Sequence, residues 1–202
     1  MIALLTLLSI GSAEAAEDPK VSVSMDTGMK PLGLPIGTLL GGGMRVGVIL
    51  GPVTPFAGGS ASFGHGTDQL QDNDFVSGAG ARLFTGQAGA RLRIAQLEAA
   101  ETYLLAGALL TEHTGYLTFK DGDDKQIANL GFRGLGGFGG GGVDAHMSNR
   151  VSIGVEAGVA YTGANIFTHE EQGNETYDEN IGGSLVFSYT NLHLTWWLGG
   201  ES

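Results

Sequence analysis

From Arg150 to Phe167 the chain alternates almost residue by residue. Val151, Ile153, Val155, Ala157, Val159, Tyr161 and Phe167 share one parity. Arg150, Ser152, Gly154, Glu156, Gly158, Ala160 and Thr162 share the other. Side chains alternate across a β-strand, so this is a strand with one apolar face and one small or polar face. Strands in soluble sheets usually run about five or six residues. A strand three times that length restricts the chain to a few architectures.

The same period recurs elsewhere. Leu40, Met44, Val46, Val48 and Leu50 lie opposite Arg45, and Val21, Val23 and Met25 alternate with Ser22, Ser24 and Asp26. Phe84, Ala88, Ala90, Leu92 and Ile94 lie opposite Thr85, Gln87, Arg91 and Arg93. Tyr103, Leu105, Leu109, Leu117 and Phe119 are expected on one face and Glu112 on the other, with Leu104 and Leu110 breaking the pattern. No long segment has a helical period, and Gly, Pro and β-branched residues weigh against helix. The division is eight strands: 20–27, 37–51, 55–65, 77–95, 102–118, 128–146, 150–167 and 181–198.

The connections differ in character. Those after the second, fourth and sixth strands are compact: "PVT", "QLEAAE" and "MSN". Those after the third, fifth and seventh are longer and polar: "GTDQLQDNDFV", "FKDGDDKQIA" and "THEEQGNETYDEN". These three hold 11 of the 21 acidic residues, which puts much of the negative charge at one end. An even number of antiparallel strands, with short turns at one end and long loops at the other, is the pattern of a transmembrane β-barrel. Lipid offers the backbone no hydrogen-bond partners, so a spanning sheet must close on itself. Its apolar face then meets lipid, and its polar face lines a lumen that eight strands leave almost filled.

Composition agrees. A chain that is 42% hydrophobic and 15% charged is built to fold. Its 36 glycines lack a Gly-X-Y period, which excludes collagen. A net charge of −11 excludes the basic surface that nucleic acid requires. The absence of Cys removes disulfides and thiolate metal sites. "IALLTLLSI", Ile2 to Ile10, is too short to span a membrane as a helix. With Ala13-x-Ala15 behind it, it reads as a signal peptide, cleaved after Ala15. Residues 1–15 are thus an expected leader and 16–202 a single barrel domain.

The hairpin "GGGGVDAHMSNRVSIGVEAGVAY" and the end strand "GSLVFSYTNLHLTWWL" carry a resemblance to the small eight-stranded outer-membrane barrels, the OmpA/OmpX/OmpW-like group. The resemblance is one of pattern, over nearly the whole mature chain. It implies an all-β, closed antiparallel eight-stranded transmembrane β-barrel with up-and-down meander topology. It also implies short turns toward the periplasm and a place in the bacterial outer membrane among lipid and lipopolysaccharide. Insertion by barrel assembly machinery, a monomeric state and the absence of any cofactor follow from it too. The group's last strand usually ends on an aromatic residue; here Trp196 and Trp197 are followed by "LGGES". Trp196 and Trp197 are expected as interfacial aromatics.

Arg45, Arg91, Arg93, Glu112 and Glu156 all fall on faces assigned to the lumen, where Arg133 can join them. Charges avoid lipid and require partners when buried. The set reads as a static salt-bridge network or as a polar path for small solutes. In either case Glu156→Ala is expected to destabilise the barrel.

Seven of the nine residues from Gly134 to Gly142 are Gly. A phosphate loop needs a helix after it, whereas a turn and a strand follow here. Leu130, Phe132 and Phe138 have even numbers, and Val143, Ala145 and Met147 odd ones. The apolar face is therefore expected to change phase at a β-bulge within Gly139–Gly142, leaving room for Arg91 or Arg93. "HMSN", His146 to Asn149, resembles the His-x-Ser-Asn motif of outer-membrane lipid A deacylases, with Glu156 as a candidate acid. Its place at a short turn favours a purely local role, and no catalytic residue is assigned. "DGDD", Asp121 to Asp124, lacks the spacing of a calcium loop, and His65, His113, His169 and His193 lack metal-ligand spacing. Asn174 in "NET" matches a glycosylation sequon of low specificity. The expected function is a non-enzymatic integral outer-membrane protein with an envelope or loop-mediated role. A narrow, porin-like channel for small or hydrophobic solutes is the alternative.

Overall fold

A computed structural model describes residues 20–33, 37–65, 76–97, 99–121, 124–172 and 175–199. The expected leader, the segment holding Asp68, Asp72 and Asp74, Asp123 of "DGDD" and Asn174 lie outside the described residues.

Eight strands follow in order: β1 (Lys20–Gly33), β2 (Gly37–Ile49), β3 (Val53–His65), β4 (Val76–Gln96), β5 (Ala100–Asp121), β6 (Asp124–Ser148), β7 (Val151–Gln172) and β8 (Glu175–Leu198). Each pairs with the next, and β1 pairs with β8 to close the barrel. All eight ladders are antiparallel. The chain is thus an eight-stranded up-and-down barrel, as its period of two dictates. β2 turns into β3 through Gly51, whose φ of 62° suits a residue without Cβ. β6 turns into β7 through Asn149 and Arg150.

The barrel wall is uneven. β1, β2 and β3 have 14, 13 and 13 residues, whereas β4 to β8 have between 21 and 25. The short turns hold the strands level at one end, so the extra length stands at the other. Here the sequence reading is corrected. The expected loops after the fifth and seventh strands are largely strand, paired to Asp121↔Asp124 and Gln172↔Glu175. An antiparallel ribbon in water tolerates polar residues on both faces, so polarity there marks solvent and not a loop.

Outward positions form an apolar belt. Leu40, Met44, Val46, Val48 and Leu50 are exposed on β2, and Phe84, Leu92 and Ile94 on β4. Val155, Val159 and Tyr161 continue the belt on β7. Two assignments of phase are corrected. On β5, Tyr103, Leu105 and Leu109 are 2%, 4% and 5% exposed, while Leu104 and Leu110 are 53% and 51% exposed. The first three fill the lumen, and Leu104 and Leu110 face outward. On β6 the register runs without a shift through Gly139–Gly142 on both sides. No bulge is present there, because Phe132 and Phe138 are buried inside while Leu135, Val143 and Met147 are exposed outside. The one irregularity in the β6–β7 ladder lies between His146 and Ser148.

Candidate functional site

Inward-facing residues near the short-turn end build a network of crossing charges. Arg45 of β2 donates from Nη1 to Glu156 of β7 at 2.7 Å, and its Nε lies 3.8 Å from Asp26 of β1. Arg91 of β4 donates from Nη2 to Asp144 of β6 at 2.8 Å and to Glu101 of β5. The same guanidinium lies over the Tyr103 ring, 3.6 Å from its centroid. His193 Nε2 is 2.6 Å from Asp144 Oδ1. An ionised carboxylate only accepts, so Nε2 carries that proton. The Tyr103 hydroxyl donates to Glu156 at 3.5 Å and lies 3.5 Å from His193 Nε2. Guanidinium suits this work because its five donors can serve two carboxylates at once.

Glycine makes the network possible. A Cβ at Gly142 would fall on the Tyr103 hydroxyl. At Gly154 it would collide with Asp144 Oδ1 and His193 Nε2. At Gly140 and Gly158 it would meet the hydroxyl of Tyr189. Large side chains therefore lean over glycines of the neighbouring strands. The inward glycines of the β6 run, Gly140 and Gly142, thus accommodate Tyr189 and Tyr103 in place of the expected Arg91 or Arg93.

A cavity of about 30 Å³ remains among Arg45, Arg91, Tyr103, Glu156, His193 and Trp197. That is room for one or two waters. On residues that line it, Arg45 Nε, His193 Nδ1 and Trp197 Nε1 are buried without a protein hydrogen-bond partner. Beyond it the bore is apolar, with Leu39, Leu83, Leu105, Leu109, Phe138 and Phe187 buried together. Phe56 and Phe138 meet with ring centroids 6.1 Å apart. Further from the short turns, Thr111 and Thr162 bond at 3.1 Å, and His113 stacks on Phe132 at 4.7 Å. The ammonium of Lys30 donates to Ser60 at 2.6 Å and to Ser62 at 3.1 Å.

Of the five residues expected in a lumen network, Arg45, Arg91 and Glu156 are brought into it. Arg93 lies on the lumen side at the mouth, 31% exposed, 3.8 Å from Glu101, and bonds the Gly51 carbonyl at 2.8 Å. Glu112 is on the outer face, 51% exposed, where Arg133 donates to it at 2.9 Å. That correction follows from the phase of β5: with Leu105 and Leu109 inside, every even position points out. Trp196 and Trp197 also separate. Neighbours on a strand cannot share a face. Trp196 keeps the outward parity of Leu192, and Trp197 lines the cavity, 6.0 Å from the Arg91 guanidinium.

Sequence reasoning passed over Asp26, Glu101, Tyr103, Asp144 and His193. Asp26 was available, since it alternates with Val23 and Met25 on a polar face. Asp144 was available too, since it has the parity opposite Val143, Ala145 and Met147. His146 and Ser148 flank the tight turn, and the Ser148 hydroxyl accepts from the Arg150 amide at 3.3 Å. Glu156 lies opposite Gly142 and is held by Arg45, so these three residues do not form a hydrogen-bonded triad. Among the described residues, no group of three or more His, Asp or Glu is placed to hold a metal ion.

No family model matches the chain, and no curated protein matches it in sequence. Solved structures do. A major outer membrane protein from Thermus thermophilus is similar at 13% identity and a TM-score of 0.70, over 89% of this chain and 99% of that one. Neisserial surface protein A has 16% identity and a TM-score of 0.45, over 91% and 99%. Ail, the attachment invasion locus protein of Yersinia pestis, has 8% identity and a TM-score of 0.45, also over 91% and 99%. At such identities the likeness is one of fold. With eight closed antiparallel strands, an apolar outer belt and a filled lumen, the chain has the fold of the small outer-membrane β-barrels.

Proposed function

We propose that the chain is an integral protein of the bacterial outer membrane, non-enzymatic, with a permanently plugged lumen. Its role is to contribute to the envelope and to present the tall ends of β4 to β8 to partners. Residues 1–15 serve as a leader removed on export, the short turns face the periplasm, and lipopolysaccharide and barrel assembly machinery are its surroundings and route in. It acts as a monomer.

The observation that supports a plug over a channel is the set of ion pairs crossing the bore. Arg45 reaches from β2 to Glu156 on β7, and Arg91 from β4 to Asp144 on β6. A cavity of about 30 Å³ is left between them. A permeating solute would have to separate buried charges, at about 3–5 kcal/mol for each broken pair. Purified protein in planar bilayers tests the reading. Extraction from membranes is expected only with detergent, with gel mobility that changes on heating, and the reconstituted barrel is expected to stay electrically silent. A defined unitary conductance would overturn the plug in favour of the narrow channel. Extraction without detergent would overturn the membrane assignment.

A further inference from the structure

The outer face carries one band of charge away from the short turns. Among the described side chains there, the charged ones are Arg82, Glu112 and Arg133. Glu112 and Arg133 pair with each other at 2.9 Å. Arg82 is exposed and has no ion pair or hydrogen bond among the described residues. It sits between Phe63 on β3 and the exposed Thr114 on β5, in direct register with both. Phe63 and Phe84 form an edge-to-face pair beside it, centroids 6.0 Å apart, both exposed.

The height of this band identifies what it meets. Ile94 closes the apolar face of β4 at its short-turn end. From Ile94 to Arg82 the strand climbs roughly 30 Å along the barrel axis, given a rise of about 3.4 Å per residue and a tilt of about 40°. That is the thickness of a hydrocarbon core, so Arg82 lies at the headgroup plane opposite the short turns. Arg133 stands two strands across and two residues along, about 12 Å away, near enough for two long side chains to reach one headgroup. Lipid phosphates fill that plane, and a guanidinium donates to phosphate with paired N–H groups.

Below the band the wall is low. Ala57, Ala88, Ala108 and Gly137 lie in one row across β3 to β6, and Ala90, Ala106 and Gly139 in the next. A Cβ at Gly137 or Gly139 would meet no atom closer than 3.3 Å, so the chain's own packing does not require glycine there. Phe84, Leu110 and Leu135 stand exposed above this floor.

We propose that Arg82 and Thr114, with Arg133 beside them, bind the phosphate of an outer-leaflet lipid whose acyl chains lie over the Ala/Gly floor. The proposal rests on the membrane reading and on its orientation. Arg82 provides a positive charge that is unpaired among the described residues, Thr114 a hydroxyl donor, and Arg133 a second guanidinium already neutralised by Glu112. The ligand class is a phosphorylated glycolipid of the lipid A type.

Native mass spectrometry of the detergent-purified barrel tests this, with diphosphoryl lipid A, its dephosphorylated form and inorganic phosphate as probes. Diphosphoryl lipid A is expected to bind, and Arg82→Gln to weaken it about tenfold. Thr114→Val is expected to weaken it less, and Ala108→Leu to weaken it by raising the floor without touching the charges. Equal binding of the dephosphorylated lipid, binding unchanged by Arg82→Gln, or displacement by millimolar inorganic phosphate would each overturn the proposal. A heat-modifiable gel shift retained in every variant shows that the barrel still inserts, so a loss of lipid binding alone leaves the membrane reading intact. Loss of that shift in wild type would sink the membrane reading itself.

Discussion

Gly139 and Gly140 are neighbours in β6 and face opposite solvents. A Cβ on Gly139 would find its nearest atom, the Leu105 carbonyl, at 3.8 Å. A Cβ on Gly140 would collide with the Ala157 carbonyl, the Cα of Gly158 and the Tyr189 hydroxyl. The contrast recurs at other positions: a Cβ on outward Gly86 or Gly163 would meet nothing closer than 3.9 Å, whereas one on inward Gly136 or Gly154 would collide with its neighbours. Inward positions are specified atom by atom, because the bore is narrow and its charges must be paired. Outward positions are asked only to be apolar, because lipid adapts to whatever shape it meets. Trp197 and Trp196 repeat the lesson on β8, one lining the cavity and the other keeping the outward parity of the belt.

The largest expected break is at Asp144. Its carboxylate is fully buried and holds both Arg91 and His193. Asp144→Ala is expected to lower unfolding stability by about 3–5 kcal/mol, read as a lower urea midpoint in detergent micelles. Glu156→Ala follows closely, softened by Asp26 at 3.8 Å from Arg45. An unchanged midpoint in both would mean that the inner face is not specified by its charges.

The two glycines give the sharper test. Gly140→Ala is expected to cost about 1–3 kcal/mol through overpacking. Gly139→Ala is expected to be neutral or to stabilise by up to about 1 kcal/mol, since it only restricts the unfolded chain. Equal effects on the melting temperature would erase the distinction between the faces. The smallest effect belongs to the outer ion pair. Glu112→Gln is expected to change stability by less than about 1 kcal/mol, because both partners are half exposed or more. A shift as large as that of Asp144→Ala would show that the outer face is also constrained.

The same asymmetry explains what could be read from the sequence. Eight strands, their order and most of their limits follow from alternation, since every spanning strand repeats it. The phase of β2, β4 and β7 was legible because Arg45, Arg91 and Glu156 mark the lumen side. On β5 and β6 hydrophobicity gave the wrong face. Tyr103, Leu105, Leu109, Phe132 and Phe138 fill the bore and are as apolar as the residues that meet lipid. Where both environments accept an apolar side chain, its character does not reveal its direction. The charged site was legible in part: Asp26 and Asp144 each have the parity opposite their apolar neighbours, whereas Tyr103 looked like a lipid-facing residue. Glu101 fell in the segment "QLEAAE" read as a connection, and His193, although it alternates with Leu192 and Leu194, was weighed only as a metal ligand.

The crossing contacts have a consequence for the order in which the barrel assembles. Arg45–Glu156, Asp144–His193 and Arg91–Asp144 all join strands that are not neighbours in the sheet. Arg45 and Glu156 are 111 residues apart in sequence. Hairpins can zip up without any of these bonds. Arg91–Asp144 and Asp144–His193 each reach across one intervening strand, so a three-stranded meander can make them, whereas Arg45–Glu156 joins β2 to β7 and forms only once β1 has met β8 and the ring is shut. Interactions that arrive after the transition state leave the folding rate alone and slow unfolding. The Arg45–Glu156 pair then works as a ratchet: it contributes little to closing the barrel and holds it closed afterwards, so that the folded protein persists by the slowness of its opening.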